Sequence, residues 1–164
     1  MNTAGCDFVV FPAGKTPLAL FQGDGEPDKI LEVEISLDES LLRAANKLPI
    51  GAVLITDGQG EIGPLTWHHL MLFRRFTDLL SKPLLVSVSP DITAGELQAL
   101  WEAGVDGVVV EVEVGQSQVR FKELGQIIDK ITFPSSRRRE KTEPLLPHNG
   151  KETGTASIEE EEEQ

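Results

Sequence analysis

Five times within residues 1–133 a short aliphatic run gives way to a stretch whose apolar residues recur at helical spacing. The clearest instance is 82–114. Leu84, Leu85, Val86 and Val88 follow Pro83 as a strand. Thr93-Ala94-Gly95-Glu96 forms a capping box, in which the threonine hydroxyl accepts the amide three residues on and the glutamate reaches back. Leu97, Leu100 and Trp101 share one face of the helix that follows, Ala103-Gly104 closes it, and Val108 to Val110 begin the next strand. Upstream, Asp7 to Phe11 reads as a first strand stopped by Pro12, and Thr16-Pro17 as the start of a short helix ended by Gly23, Gly25 and Pro27. Lys29 to Ile35 alternates as a second strand. Ser36-Leu37-Asp38-Glu39 reads as another capping box, opening a helix with Leu41, Leu42, Ala45 and Leu48 on one side before Pro49. Ala52 to Thr56 is a third strand. Beyond the glycine-rich 58–63 and Pro64, a longer helix to Ser81 carries Leu65, Leu72, Phe73, Phe76, Leu79 and Leu80, with His69 at the matching spacing. Ser117 is placed to cap a last helix bearing Phe121, Leu124, Ile127, Ile128 and Ile131.

A strand–helix–strand crossover joins parallel strands and is right-handed, so the fold class is α/β with a parallel sheet. Five such units can run on in order as a (β/α)5 part of a TIM-barrel-like sheet, or wind doubly into a flavodoxin-like sheet of order 2-1-3-4-5. The passage ELQALWEAGVDGVVVEV resembles the helix–Ala-Gly-x-Asp-Gly–strand segment of aldolase-type TIM barrels. That resemblance is strongest over 82–113 and implies an incomplete barrel, with any site in the βα loops at the C-terminal strand ends. Ala4-Gly5-Cys6-Asp7 echoes Ala103-Gly104-Val105-Asp106 without a preceding helix, which predicts that part of the barrel has been lost upstream.

Polar positions favour the in-order sheet. Glu32 and Glu34, Ser87 and Ser89, and Glu111 and Glu113 each lie on one face of their strands. A parallel sheet covered on both faces is apolar throughout, because a buried unpaired carboxylate is costly. One side of this sheet is therefore expected to be wet, as the lumen face of an open barrel would be. In the doubly wound order the second and fifth strands are edges, which accounts for the glutamates but not for the serines.

Composition narrows the function classes. The chain carries 15 Lys/Arg and 27 Asp/Glu, a net charge of −12. Residues 1–133 hold 10 and 19 of these, net −9, so the body itself repels phosphate backbones and anionic lipid, and neither nucleic acid nor membrane is an expected partner. Cys6 alone excludes an internal disulfide and a cysteine zinc site. With no signal-peptide pattern and no long apolar run, a cytoplasmic protein is expected. From Pro134 the chain turns to Ser, Pro, Arg and Glu and ends in Glu159 to Glu163. Residues 134–164 thus read as a disordered acidic tail, following a 1–133 α/β domain. Arg137-Arg138-Arg139 is too short a basic run to signal targeting.

Several motifs fall short of the chemistry they suggest. Gly58-Gln59-Gly60-Glu61-Ile62-Gly63 matches G-x-G-x-x-G after a strand, but Asp57 and Glu61 put negative charge where a pyrophosphate would sit, and Pro64 falls in the first helical turns. Gly14-Lys15-Thr16 lacks the first glycine of a P-loop, whose place is taken by Val9; Lys15 remains a lone cation at that strand end. Asp57 occupies the place of a receiver-domain phosphoacceptor. The acidic pair after the first strand and the lysine after the fifth are missing. His68 and His69 are about 100° apart on a helix and cannot chelate one metal, so His69 is expected as a packed, hydrogen-bonded core histidine. Trp67 and Trp101 read as anchors and Met71 as core filler.

The candidate site set is Glu34, Asp57, Ser87 and Glu111, which converge on the C-terminal rim if the strands run in order. Glu34 and Glu111 are the metal candidates, since carboxylates so placed hold a divalent cation or act as acid and base. No lysine or histidine joins them as a Schiff base or proton shuttle, and no specific cofactor is indicated. The expectation is a non-catalytic domain that self-associates or takes a protein partner completing the sheet. The competing expectation is a metal-assisted lyase or isomerase of aldolase type.

Overall fold

The structure, a computed structural model, describes residues 7–21, 27–111 and 118–131. The chain divides into the units Met1–Phe133 and Pro134–Gln164. The acidic tail, the arginine run, Cys6, Glu113 and the cap expected from Ser117 lie outside the described residues.

Five strands, β1 (Phe8–Pro12), β2 (Asp28–Glu34), β3 (Ala52–Thr56), β4 (Leu84–Val88) and β5 (Gly107–Val110), form one sheet in the order β1-β2-β3-β4-β5, every pair parallel. The sheet curls into a half-barrel. This is the in-order arrangement; in the doubly wound alternative β1 would lie between β2 and β3, whereas here it pairs with β2 alone and ends the sheet. A 3-10 turn over Leu18–Phe21 follows β1. The helices are α1 (Glu39–Ala44, continued as a 3-10 turn to Lys47), α2 (Trp67–Leu79), α3 (Ala94–Ala103) and α4 (Gln118–Lys130).

All four helices serve one side of the sheet. Val53, Ile55, Leu84 and Val86, fully buried, pack with Leu42 of α1, Phe73 and Phe76 of α2, Leu97 and Leu100 of α3, and Leu124 of α4. Alternation sends the intervening residues to the inner side, where Ile30, Ala52 and Leu54 form a second cluster with Leu85 and Val109. No helix residue belongs to that cluster among the described residues.

Local chemistry sets the helix ends. Thr93 caps α3 by accepting the Glu96 amide, while the Glu96 carboxylate accepts from the Thr93 amide at 2.8 Å, so the capping box forms as read. Those bonds, the backbone one foremost, hold the Glu96 carboxyl below the usual range. The box expected at Ser36 does not form. Leu37 turns back onto the Glu34 carbonyl, Asp38 becomes the cap and accepts the Ser40 amide at 2.8 Å, and Ser36 donates to Glu34 instead. A box with histidine in the glutamate's role opens α2: His69 N–H donates to Thr66 Oγ1, and the Thr66 amide donates to His69 Nδ1. His69 is thus hydrogen-bonded, with its ring tilted against Phe73 at 6.3 Å between centroids, but at a helix entrance and only half-buried. Trp67 and Met71, expected as anchor and filler, are 84% and 70% exposed, because at six and two positions before Phe73 they fall on the face of α2 opposite its buried residues Phe73, Phe76 and Thr77.

The Ala-Gly-x-Asp segment is a structural device. Gly104 ends α3 at φ +106°, a left-handed conformation open to glycine, and a methyl group there would lie 2.6 Å from Thr77 Oγ1. Asp106 then donates its amide to the Leu84 carbonyl and accepts the Leu84 amide on its carboxylate, both at 2.8 Å, so β5 is pinned in register against the start of β4. Between helices, Arg75 of α2 grips Glu39 of α1 through two bonds of 2.8 Å.

Candidate functional site

The rim residues are positioned by the ends of β2 to β5 and by the loop between β3 and α2. That loop starts with a turn of its own making. Asp57 accepts the Gln59 amide at 2.7 Å, and the Gly58 amide reaches Thr56 Oγ1 at 3.4 Å. Gly58 and Gly60 take φ values of +90° and +128°. The backbone then crosses to β4, where the Ile62 amide donates to the Ser87 carbonyl at 2.9 Å and Ile62 bridges to Val88. Ile62 is 2% exposed and belongs to the outer core, so the loop is nailed down at its far end by an apolar side chain.

This path carries the loop past both metal candidates. A methyl at Gly58 would come within 3.1 Å of the Glu34 carboxyl carbon, and one at Gly60 within 3.7 Å of Glu111 Oε2. Glu34, from the end of β2, and Glu111, just after β5, thus lie against the first and second glycine of a single strap. The glycines serve this close approach as well as the left-handed turns.

The other two candidates behave differently. Asp57 is exposed and its carboxylate is turned back onto its own loop. Ser87 is 1% exposed, and its hydroxyl makes no hydrogen bond among the described residues. A wet serine was expected from the alternation. The curl of the sheet explains the difference: on the inside of a curve neighbouring side chains converge, so Ser87 is enclosed beside Val109, its partner in register. Thr56, opposite Glu34 in register, is buried at 4% for the same reason. The inner face is therefore graded, with Val10, Ile30 and Ala52 in one row, then Glu32, Leu54 and Leu85, then Glu34 and Thr56 with Ser87 and Val109 toward the rim.

Chemically, the rim supplies acceptors. Among the described residues no histidine or lysine side chain bonds to the Ser87 hydroxyl. Among the described residues no group of three or more His, Cys, Asp or Glu is disposed to hold a metal ion, which leaves Glu34 and Glu111 as a pair. Three amides of the glycine loop, those of Gly58, Gln59 and Ile62, are committed to Thr56, Asp57 and Ser87 and are not offered to a phosphate. Lys15 stands in the turn after β1, with its amide on the Pro12 carbonyl.

A separate cavity of about 320 Å³ opens on the outer side of the strap, between it and the β4–α3 turn, and is lined by Ile62, Pro64, Leu65, Val88, Asp91 and Glu96 among others. Its Glu96 is already spent on the α3 capping box and on the Leu65 backbone, which makes this a structural joint between two helix entrances.

Sequence reasoning missed Thr56, Ile62 and the strap itself. The available signal was an apolar Ile62 inside an otherwise polar glycine loop, a residue such a loop has no local reason to carry. Among the described residues no helix is long and apolar enough to cross a membrane. No protein-family model matches the chain, and no curated protein matches it either.

Proposed function

We propose that this chain is a non-catalytic docking domain derived from an aldolase-type barrel, whose end strand β1 takes a second copy or a protein partner. One observation carries the reading. The end strand β1 leaves Phe8 and Val10 55% and 38% exposed on the inner side, next to the buried Ile30, Ala52 and Leu54, a cluster that holds no helix residue among the described residues. Exposed apolar side chains on an end strand are the usual mark of an interaction site. Pro12 supports the idea from the opposite direction. As the last residue of β1 it removes a backbone donor from an end strand, a device that limits indiscriminate strand addition.

Sedimentation equilibrium of the full chain, up to its highest soluble concentration and with and without cell extract, tests the reading. The expected result is a mass above the monomer, alone or with a captured partner, that Val10→Lys returns to the monomer. A monomer under both conditions, unaltered by Val10→Lys, would reject it.

A second reading is kept because Glu34 and Glu111 meet one strap: a metal-assisted lyase or isomerase. Its test is thermal unfolding with saturating Mg²⁺ or Mn²⁺, since a ligand bound only by the folded chain raises the midpoint. A rise abolished by Glu111→Gln supports this reading; no rise removes it.

A further inference from the structure

We infer that the occupant of the end strand is a second copy of this chain, its β1 laid antiparallel along the first copy's β1 about a two-fold axis at Val10; this rests on the docking reading above.

The two end strands are finished differently. Val108, Val109 and Val110 of β5 are all half-buried, and no residue of that strand is an exposed large apolar one. At the other end Phe8 and Val10 of β1 are exposed, and Leu18 and Leu20 in the 3-10 turn that follows are 87% and 68% exposed. Exposed apolar side chains are thus gathered at β1.

Backbone alternation shows what that edge offers. Asp7 and Ala13 are bonded to β2, the first through its carbonyl to the Asp28 amide and the second through its amide to the Glu32 carbonyl, at 3.0 and 2.9 Å. Their phase directs the backbone of Val9 and Phe11 the same way, and turns the amide and carbonyl of Val10 to the free side together with the Pro12 carbonyl. Pro12 has no amide, and its carbonyl already accepts from the Lys15 amide at 3.3 Å. The centre of β1 is left with one donor and one acceptor on a single residue. A residue so placed pairs with its own copy across a two-fold axis, exchanging both bonds as opposed residues of an antiparallel pair do.

Charge selects the same partner in the same direction. Asp7 stands exposed at the start of β1, and Lys15 stands exposed in the turn at its end. An edge that is acidic at one end and basic at the other complements itself when reversed. Pairing about Val10 sets Phe8 against the partner's Pro12, and Asp7 against the partner's Ala13 near the partner's Lys15. The axis makes each of these contacts twice. The parallel alternative lacks this match. Laying β1 along β5 of a neighbour would bring Asp7 to the exposed Asp106, which immediately precedes that strand, and like charges set opposite each other are destabilising.

The rest of the molecule sets the strength. Each copy carries a net charge of −12, which opposes approach. Two central hydrogen bonds, two Phe8–Pro12 contacts and two exposed ion pairs make a small interface, so the dimer is weak and follows concentration.

The test is sedimentation equilibrium of the full-length chain over a concentration series, on the wild type, on Lys15→Glu, on Asp7→Lys, and on an equimolar mixture of the two variants. Both side chains are exposed, and circular dichroism checks that the variants fold. The wild type is expected to rise with concentration from the monomer mass toward twice that mass. Each variant alone sets like charges at both ends of the pair, and should need at least about tenfold more protein to associate. In the mixture Asp7 of one variant meets Lys15 of the other and the two introduced charges meet each other, so dimers should return at wild-type concentrations. Variants that associate like the wild type, or a mixture no stronger than either variant alone, would overturn the antiparallel pair. A wild type that is monomeric alone but gains mass in cell extract, with Val10→Lys abolishing the gain, rejects the second copy and keeps docking at β1. A monomer under both conditions rejects the two together.

Discussion

The two sides of the sheet are built from the same strands and finished in different ways. On the outer side Val53, Ile55, Leu84 and Val86 are sealed by side chains from α1 to α4, which the chain itself delivers through its crossovers. On the inner side Ile30, Ala52 and Leu54 form a smaller cluster with Leu85 and Val109, without a helix residue among the described residues, and exposure rises toward Val10 at the end of the sheet. The contrast teaches where stability and where interaction reside. A helix supplies apolar surface that closes a core. A curl supplies proximity, which hides Leu54 and Ser87 and leaves apolar side chains exposed at the end strand, at Phe8 and Val10.

The largest test of this contrast compares core truncations. Phe73→Ala, at a residue with no exposure, is expected to cost ~3–5 kcal/mol in chemical denaturation. Leu54→Ala is expected near the low end for leucine, ~2 kcal/mol, since it packs within the small inner cluster and not against the helices. A larger loss at Leu54 than at Phe73 would make the inner cluster the principal core and undo the comparison.

Two glycines sharpen it at smaller magnitude. Gly104→Ala forces a side chain into the left-handed region and into Thr77, whose hydroxyl bonds the Arg74 and Ala103 carbonyls, so ~2–3 kcal/mol is expected. Gly60→Ala carries the same backbone strain, but its new methyl would stand 3.7 Å from Glu111, an ordinary contact, and ~1 kcal/mol is expected. Thermal melts of the two variants should keep that order.

The smallest effect belongs to pH. The bond from Arg75 holds the Glu39 carboxyl below its ordinary value of 4.5. A folded-state value below the unfolded one stabilises fully above the ordinary carboxylate range and is lost as pH falls through the lowered folded value. Glu39→Gln should therefore lower stability near neutral pH and flatten the acid limb of a urea-midpoint profile. Both changes should be slight, because the pair is exposed. An unchanged acid limb would show that the α1–α2 grip contributes nothing.

Residues with strong local reasons were legible. Ala52 to Thr56 formed the third strand as read, and Thr93 with Glu96 formed its box, because alternation and capping depend on neighbours a few positions apart. The inner placement of Glu32 and Glu34 was legible for the same reason. Ser36 and Trp67 were not. The turn of Leu37 onto Glu34 made Asp38 the cap in place of Ser36, and Trp67 lies on the face of α2 opposite Phe73, where no neighbour covers it enough to bury it. Ser87 misled for a longer-range reason, since polarity forecasts exposure only when the surrounding surface is flat.

What the sequence by itself determined is the list of parts: five parallel strands, their crossovers, the residues facing each way, and an acidic sign throughout. These follow from periodicity, turn residues and charge, which act over a turn or a pleat. The polar strand faces already favoured chain neighbours as sheet neighbours, and the tertiary structure decided it; the structure alone decided that the sheet curls and that a glycine strap pinned by Ile62 runs past Glu34 and Glu111. Those depend on which distant side chains share a volume, and excluded volume between remote segments leaves no local pattern in a sequence.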